Sequence, residues 1–205
     1  MKISKYVHSC LLIEEQGKTI LIDPGNYTAE EEALSANWLE KLDFILITHE
    51  HEDHMYIPLI QELVNKFPEV RLISNASVAA ILEKEGLAVS TEGNDFIRMQ
   101  DVSHEKLLGR AVPQNTLFHL FGKLTHPGDS LQFDSTKEIL ALPIQAPWGS
   151  MVQAIEKAAE LKPKVVIPIH DWHWSEKARK RLYGMASDYL RGKGIDFKGL
   201  DTVEI

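Results

Sequence analysis

Hydrophobic and polar positions in the first quarter of the chain follow the pattern of paired strands. Apolar runs at 8–15 (HSCLLIEE) and 18–25 (KTILIDPG) flank a glycine and predict a β-hairpin. The preceding KISKYV predicts another strand. The uninterrupted apolar run DFILIT at 43–48 is typical of a buried strand. Between them, EEEALSANWLEKL at 30–42 has helical spacing and predicts a helix.

Strand and helix patterns alternate through the rest of the chain. Helical spacing predicts helices at 56–67, 76–86, 150–162 and 175–194. Apolar, β-rich runs predict strands at 70–74, 95–103, 115–124, 138–144 and 164–170, and in the tail 197–205. Hairpins followed by alternating β and α elements, in both halves of the chain, predict an α/β protein whose two sheets carry helices on their outer faces.

Composition and charge narrow the class of protein. A length of 205 residues with 44% hydrophobic residues predicts one globular domain over 1–205. The 30 acidic and 22 basic residues give a formal charge of −8. Because nucleic-acid surfaces are basic, this balance argues against a nucleic-acid partner.

Cysteine content and hydropathy indicate the compartment. Cys10 is the single cysteine, so an intrachain disulfide and a thiolate metal cluster are both excluded. The N-terminal sequence alternates and carries charges, unlike the apolar core of a signal peptide. No run approaches the roughly 18–20 apolar residues of a membrane helix. We therefore expect a cytoplasmic protein with no membrane partner.

The stretch THEHEDH at 48–54 contains the most specific chemical signal. His49 and His51 lie two apart at a predicted strand end, which places both side chains on one side of the strand. Asp53 and His54 follow as the chain turns towards the next helix. Imidazole and carboxylate groups are ligands of zinc and related cations, so this stretch can supply parts of two adjacent metal positions. The alternative is a solvated acidic loop with incidental histidines.

One segment cannot complete two coordination shells, so further ligands must come from other strand ends. Asp129 lies in THPGDS, where proline and glycine favour a turn directly after a strand. His170 ends the apolar strand VVIPIH, and His104 follows FIRMQDVS in the same way. This recurrence of a ligand-type residue after a strand favours the metal site over the solvated loop.

In the order and spacing of these candidate ligands, the sequence resembles the metallo-β-lactamase superfamily, and most closely its short UlaG-like branch of metal-dependent hydrolases. The resemblance rests on five stretches, HSCLLIEEQGKTILIDP, ITHEHEDH, PQNTLFHLFGKLTHPGDS, LALPI and KVVIPIH. It implies a four-layer αβ/βα sandwich, in which two mixed β-sheets carry helices on both outer faces. It also implies a site along one edge of the two sheets.

The resemblance implies two ligand sets joined by a bridging carboxylate. The first set is His49, His51 and His104, the second is Asp53, His54 and His170, and Asp129 is the bridge. Asp23 in LIDPG would orient a ligand histidine. Asp53 is also the expected catalytic residue, since it would orient the nucleophile. His126 is an alternative to His104, although alternation from Asp129 places it on the opposite side if the strand continues.

Four further residues near these positions are open to two interpretations. His8 ends a predicted strand and is either a substrate contact or proton shuttle, or a structural histidine. Trp172 and His173 directly follow His170 and either wall the substrate pocket or form a packed aromatic turn. Trp148 in APWGS either lines the mouth of the pocket or packs against the core.

The resemblance implies a hydrolase with two divalent ions, zinc being preferred over manganese or iron because imidazole ligands dominate. A hydroxide bridging the ions would attack a small ester, lactone or phosphodiester, because two such ions lower the pKa of a shared water towards about 7. An iron-dependent redox enzyme on the same scaffold and a non-catalytic metal-binding module are the alternatives. The expected partner is a small-molecule substrate, and a homo-oligomer stays open.

Overall fold

The structure is a computed structural model that describes residues 1–199 and 202–204. Its strands form two sheets. The first sheet contains β1 (Lys2–Lys5), β2 (Leu11–Glu15), β3 (Lys18–Ile22), β4 (Phe44–Leu46), β5 (Arg71–Ile73), β6 (Val89–Ser90) and β13 (Thr202–Glu204). The second contains β7 (Ile97–Ser103), β8 (Gln114–Leu120), β9 (Leu124–His126), β10 (Ile139–Pro143), β11 (Val165–Ile169) and β12 (Asp196–Phe197).

Both sheets are mixed. The first has the order β13-β1-β2-β3-β4-β5-β6, antiparallel up to β3 and parallel from β3 to β6. The second has the order β12-β11-β10-β9-β8-β7, parallel up to β9 and antiparallel beyond it. In the register of the hairpin, Ile13 lies opposite both Ile3 and Ile20.

The alternation of side chains along the strands divides the core into three layers. Ile20 and Ile22 of β3 face the second sheet, whereas Leu21 packs on the helical side. In β10, Ala141 faces the first sheet and Leu140 faces the other helices. Because both faces of these strands are buried, each apolar side chain contributes roughly 1.5–3 kcal/mol of transfer free energy. The predicted four-layer αβ/βα sandwich with two mixed sheets is confirmed.

The helices are α1 (Asn26–Glu30), α2 (Ile57–Lys66), α3 (Ala76–Leu82), α4 (Met151–Leu161) and α5 (Glu176–Arg191). The last three begin at polar caps. The side chains of Asn75 and Ser175 accept hydrogen bonds from backbone N–H groups of the first turn, and Ser150 forms a capping box with Gln153. Among the described residues, no helix has the length and apolar character needed to cross a membrane.

The helix predicted at 30–42 is wrong. The segment contains only a three-residue 3₁₀ turn, Ala36–Trp38, and the preceding α1 ends at Glu30. Leu34, Ala36, Leu39 and Leu42 of the segment are nevertheless buried against the first sheet and α2, whereas Trp38 is exposed. The side chain of Lys66 donates to the carbonyl oxygens of Ala36 and Leu39 at 2.7 and 3.0 Å. Tertiary contacts thus satisfy backbone groups that a helix would have paired internally.

The other differences concern α1, which was not predicted, and several short strands. The run predicted as one strand at 115–124 is a hairpin, because Phe121 and Gly122 adopt positive φ between β8 and β9. The strand β6 was not predicted. The tail at 197–205 does not form one strand, since β12 joins the second sheet and β13 joins the first. Residues 200, 201 and 205 of that prediction lie outside the described residues.

Candidate metal centre

The candidate residues follow the carboxyl ends of strands that run in one direction. In the first sheet, β1, β3 and β4 share a direction because β2 opposes β1 and β3. In the second, β7, β9 and β11 share a direction because β8 opposes both of its neighbours. The residues that meet at this edge are His8 after β1, Asp23 after β3, His49 to His54 after β4, His104 after β7, Asp129 after β9 and His170 after β11.

The structure brings the first predicted ligand set together. One ligand-type atom from each of His49, His51, His104 and Asp129 lies within 4.8 Å of the others. Nε2 of His49 and Nδ1 of His51 are 3.0 Å apart, and Nε2 of His104 lies 3.5 Å from Oδ2 of Asp129. His49, His104 and Asp129 are buried. Three nitrogens and one carboxylate from two sheets therefore converge on one point.

The structure also brings the second predicted set together, and it adds His8 to that set. Atoms of His8, Asp53, His54 and His170 lie within 4.8 Å of one another. Nε2 of His8 is 3.1 Å from Oδ2 of Asp53, and the buried His8 ring packs on His170 with centroids 3.9 Å apart. Sequence analysis left His8 open, yet it follows a strand parallel to β3, as the other members follow theirs. That shared strand direction is the signal that would have assigned it.

Hydrogen bonds at Nδ1 of two buried histidines, His104 and His170, leave Nε2 of each neutral ring able to bind a metal. Nδ1 of His104 donates to the carbonyl oxygen of Glu105, and Nδ1 of His170 donates to that of Gln145, both at 2.6 Å. Because a carbonyl oxygen only accepts, Nδ1 carries the hydrogen in the neutral ring and Nε2 keeps its lone pair. Metal-ligating histidines are oriented by the same kind of outer hydrogen bond.

Asp23 orients His54, as the resemblance implied. Oδ2 of Asp23 is 2.8 Å from Nδ1 of His54 and accepts a hydrogen bond from Oγ1 of Thr48 at the same distance. Oδ1 accepts from the backbone N–H of Thr48. With its hydrogen donated to Asp23, the Thr48 hydroxyl accepts from Nδ1 of His49 at 2.9 Å. One buried carboxylate thereby fixes histidines of both sets.

Asp129 lies between the two sets. Its Oδ1 is 3.2 Å from Nε2 of His54, and its Oδ2 is 3.2 Å from Nε2 of His170. The turn that delivers it depends on Gly128, whose φ is +58° and where an added Cβ would lie 2.8 Å from Cβ of Thr48. The turn expected from THPGDS is therefore present.

Four atoms facing this centre are buried without a hydrogen-bond partner in the described part of the chain. They are Nε2 of His54, Nε2 of His104, Nε2 of His170 and Oδ1 of Asp129. Unsatisfied buried polar atoms are costly and uncommon. A cluster of them, each with a lone pair directed to the same centre, fits divalent cations as the missing partners.

The charges of the centre are strongly coupled. Burial alone would raise the pKa of Asp129, but the imidazoles of His170 and His54 hold it well below its usual range. The pKa of Asp53 is lowered in the same way by His54 and the hydrogen bond from His8. Burial and the neighbouring His54 lower the pKa of His49 well below normal. The carboxylates are thus ionised, and His49 is neutral, at neutral pH, as metal ligands must be. Burial alone would lower the pKa of His54 and of His170, but Asp129 raises both, so a cation that binds these rings competes with protons.

His126 does not join either set. Its Nε2 is 3.3 Å from the carbonyl oxygen of Ser9, and its Nδ1 accepts from the backbone N–H of Gly128. The alternation from Asp129 points it away, as expected. His104 is therefore the residue that lies with His49 and His51.

An open cleft of about 520 Å³ leads to the centre. Trp148 and His173 line it, and Nε1 of Trp148 donates to Oδ2 of Asp129 at 3.1 Å. Trp172 does not line it, because its ring stacks on Tyr27 at 3.9 Å and its N–H donates to Glu31. Tyr27 itself lines the cleft, so Trp172 supports the wall from behind. A larger depression of about 740 Å³ lies over β1–β3, but the described residues lining it include no histidine.

Known proteins share both this sequence pattern and this fold. Residues 2–170 match the family model described as beta-lactamase superfamily domain. A UPF0173 metal-dependent hydrolase of Geobacillus thermodenitrificans is 31% identical over an alignment of 205 positions including gaps, and the alignment covers 83% of this chain and 85% of the relative.

Solved structures with lower sequence identity have the same fold. A novel metallo hydrolase from Ignicoccus hospitalis has a TM-score of 0.73 at 19% identity and covers 100% of this chain and 98% of its own. CmlA, a diiron beta-hydroxylase from Streptomyces venezuelae, has a TM-score of 0.65 at 17% identity. The match covers 100% of this chain and 54% of the CmlA chain. Given the family model and the 31% identical relative, the chain belongs to the beta-lactamase superfamily and, within it, to the UPF0173 family of metal-dependent hydrolases.

Proposed function

We propose that this hydrolase works with two divalent ions, held by two neighbouring ligand groups that share Asp129. The observation that carries the proposal is the pair of four-residue groups at one edge of the sandwich, with Asp129 within 3.2 Å of His54 and of His170. In this proposal His49, His51 and His104 hold one ion. Asp53, His54 and His170 hold the other.

Ions bound in this way would lower the pKa of a shared water to near neutrality and stabilise negative charge that develops on the substrate oxygen. The protein residues hold the geometry. Asp53 is our candidate for orienting the nucleophile, and His8 fixes Asp53 by the 3.1 Å contact between Nε2 and Oδ2. Burial lowers the pKa of His8 to about 3, so its ring is neutral at pH 7.

The lack of a reactive cysteine also favours water as the nucleophile. The single cysteine, Cys10, is buried, and burial raises the pKa of its thiol, so it offers no thiolate. The open cleft suits a small molecule, and a small ester, lactone or phosphodiester is our candidate substrate. Zinc is our preferred metal because nitrogen ligands outnumber oxygen ligands.

The first experiment measures the metal content per chain, with elements resolved, on protein purified without chelator. We expect close to two zinc ions per chain. The Asp129→Ala variant should hold fewer ions and lose at least about a hundredfold in hydrolysis, the upper end of what loss of a single outer-shell partner causes. The matched control is Asp95→Ala, which removes an exposed carboxylate at the opposite end of β7 from His104.

Three outcomes would contradict the proposal. Protein without any transition metal would favour the non-catalytic module. Unchanged hydrolysis in Asp129→Ala would remove the bridging role. Iron together with oxygen-dependent turnover would favour the redox enzyme, as the diiron function of CmlA on this fold illustrates.

A further inference from the structure

The cleft above the ligand groups has ligand-type residues on its floor, whereas its rim carries cationic and apolar side chains. The floor is formed by His51, Asp53, Asp129 and His170. Much of the rim comes from two segments, one after β7 that carries Lys106, Leu107, Leu108 and Arg110, and one after β10 that carries Pro147 and Trp148. Because these rim residues take no part in either ligand group, their chemistry bears on the substrate.

Two of the rim residues are cations. Lys106 and Arg110 are exposed and line the cleft. Within the described residues, neither side chain forms an ion pair or hydrogen bond, whereas Lys5, Lys123 and Lys164 are each paired with a carboxylate. In a protein with more acidic than basic residues, two unpaired cations beside one cleft leave their charge available to a ligand.

The floor adds to this charge once the ions are bound. Two divalent ions outweigh the carboxylates of Asp53 and Asp129, and the remaining acidic side chain on the lining is Glu52. The loaded cleft therefore carries a net positive charge in an otherwise acidic protein. A cleft of one sign concentrates ligands of the opposite sign.

Apolar groups lie beside the cations. Leu108 is 93% exposed, the most exposed large hydrophobic side chain among the described residues. An exposed leucine is ordinary alone, but this one shares the cleft lining with Leu107, Pro147 and Trp148. These groups offer an apolar contact for the body of a small substrate.

We propose that the substrate is a small ester or lactone with a short apolar body and an anionic group. This inference rests on the proposed function, since it places the scissile bond at the metal ions. Lys106 and Arg110 would bind the anion, and Leu108 and Trp148 would contact the apolar body. Water adds its hydroxyl to the acyl carbon, the acyl C–O bond breaks, and the alcohol leaves with a proton.

The test compares esters of matched chain length that differ in their terminal group. The metal-loaded protein is assayed with 4-nitrophenyl pentanoate, with the mono-4-nitrophenyl ester of glutarate, and with an ester of equal length that carries a phosphonate. We expect kcat/KM at least tenfold higher for an anionic ester than for the neutral one. If kcat/KM is larger for the carboxylate ester, the site prefers a carboxylate. If it is larger for the phosphonate ester, the site prefers a phosphate-type anion. The preference should shrink as salt rises, because screening weakens attraction to exposed cations.

Variants locate the preference. In the double variant Lys106→Gln/Arg110→Gln, the anionic-to-neutral ratio of kcat/KM should fall to near one. The matched control is Lys177→Gln/Arg181→Gln, which removes the same charge from exposed positions of α5 and should keep the wild-type ratio.

The outcomes separate this inference from the proposed function. Equal hydrolysis of neutral and anionic esters would overturn the inference and leave the hydrolase standing. If the loaded protein hydrolyses none of them, calorimetric binding of glutarate replaces the assay. Binding that weakens at least tenfold in the Lys106/Arg110 variant would support the anion site, and absent or equal binding would overturn it.

Discussion

At the scale of single residues, the centre depends on which ring nitrogen carries hydrogen. Backbone carbonyls hold the Nδ1 hydrogens of His104 and His170, and Asp23 holds that of His54. Three positions at this edge, His8, Asp23 and His170, adopt positive φ, at 61°, 50° and 62°. Non-glycine residues with such backbone angles are costly and concentrate at functional sites. The local cost is consistent with side chains that must aim at a common centre.

The first residue-scale prediction concerns Gly25. An added Cβ there would lie 1.8 Å from the carbonyl oxygen of Asp53 and 2.8 Å from the nitrogen of His54, so Gly25→Ala must displace these ligands. We expect metal affinity, measured by calorimetric titration, to fall at least about tenfold. The control Gly184→Ala meets no atom within 4 Å in the middle of α5 and should stabilise by about 0.5–1 kcal/mol. Unchanged metal affinity in Gly25→Ala would contradict the close packing of Gly25 against the backbone of Asp53 and His54.

The second residue-scale prediction concerns the buried pair of Lys5 and Asp171, 2.7 Å apart. Burial would raise the pKa of Asp171, but Lys5 and the Tyr183 hydroxyl lower it. Since the folded pKa is lowered, the pair stabilises the protein above the unfolded pKa of about 3.9, and this contribution is lost as pH falls.

Lys5→Met should therefore cost about 3 kcal/mol at pH 7 and progressively less as the pH falls below the unfolded pKa of about 3.9, because protonation of Asp171 removes the charge that Lys5 balances. The difference in free energy of unfolding between variant and wild type is measured by urea unfolding of chelator-treated protein at a series of pH values. Lys2→Met, on the same strand, removes a half-exposed ion pair with Glu14 and should cost less than about 1 kcal/mol. A cost for Lys5→Met that did not change with pH would show that lost packing, rather than the unpaired carboxylate, dominates.

At the scale of elements, strand direction determines where the ligands meet. Six segments that are distant in sequence deliver their residues to one edge because their strands run the same way. The segment 30–42 shows the opposite case, in which helical spacing did not produce a helix. Its buried residues pack on α2, and Lys66 and Glu62 of α2 bind its backbone groups.

The element-scale prediction concerns Lys66. Lys66→Met should leave the carbonyl oxygens of Ala36 and Leu39 without their side-chain donor and cost about 1–3 kcal/mol in the free energy of unfolding. The exposed Lys84→Met serves as the control and should change stability by less than about 0.5 kcal/mol. Both are measured by chemical denaturation. Equal costs in the two variants would mean that water replaces the lysine without penalty.

At the scale of the whole molecule, the centre joins the two halves of the sandwich. His49, His51 and His54 follow a strand of the first sheet, whereas His104, Asp129 and His170 follow strands of the second. Backbone contact between the sheets occurs beside it, where the N–H of Thr116 donates to the carbonyl oxygen of Thr48 at 3.0 Å. Bound ions would therefore connect two sheets that otherwise pack mainly through apolar side chains.

The whole-molecule prediction is that a chelator destabilises the protein. Ligand at a hundredfold excess over its Kd adds about 2.7 kcal/mol, so metal removal should lower Tm by at least about 5 °C. Hydrogen exchange should rise at the carboxyl ends of both β4 and β11. The Asp129→Ala variant should show a smaller shift with the same chelator. An unchanged Tm in the wild-type protein would mean that no ion joins the sheets.

The sequence by itself determined the residue chemistry and the class of fold. The local pattern predicts buried strands such as β4 and β11 because a short apolar run rich in isoleucine and valine is typical of a strand that is buried on both faces. The cluster at 48–54 and the strand-end positions of Asp129 and His170 indicated the candidate ligands, because that chemistry depends on residue type and short spacing.

The tertiary structure alone decided features that depend on distant contacts. It grouped His8 with Asp53, selected His104 over His126, paired β13 with β1, and replaced the helix at 30–42 by a packed segment. Each of these depends on hydrogen bonds or burial between segments far apart in the chain. Local sequence specifies what a side chain can do, but the partner that satisfies it is set by how the two sheets come together.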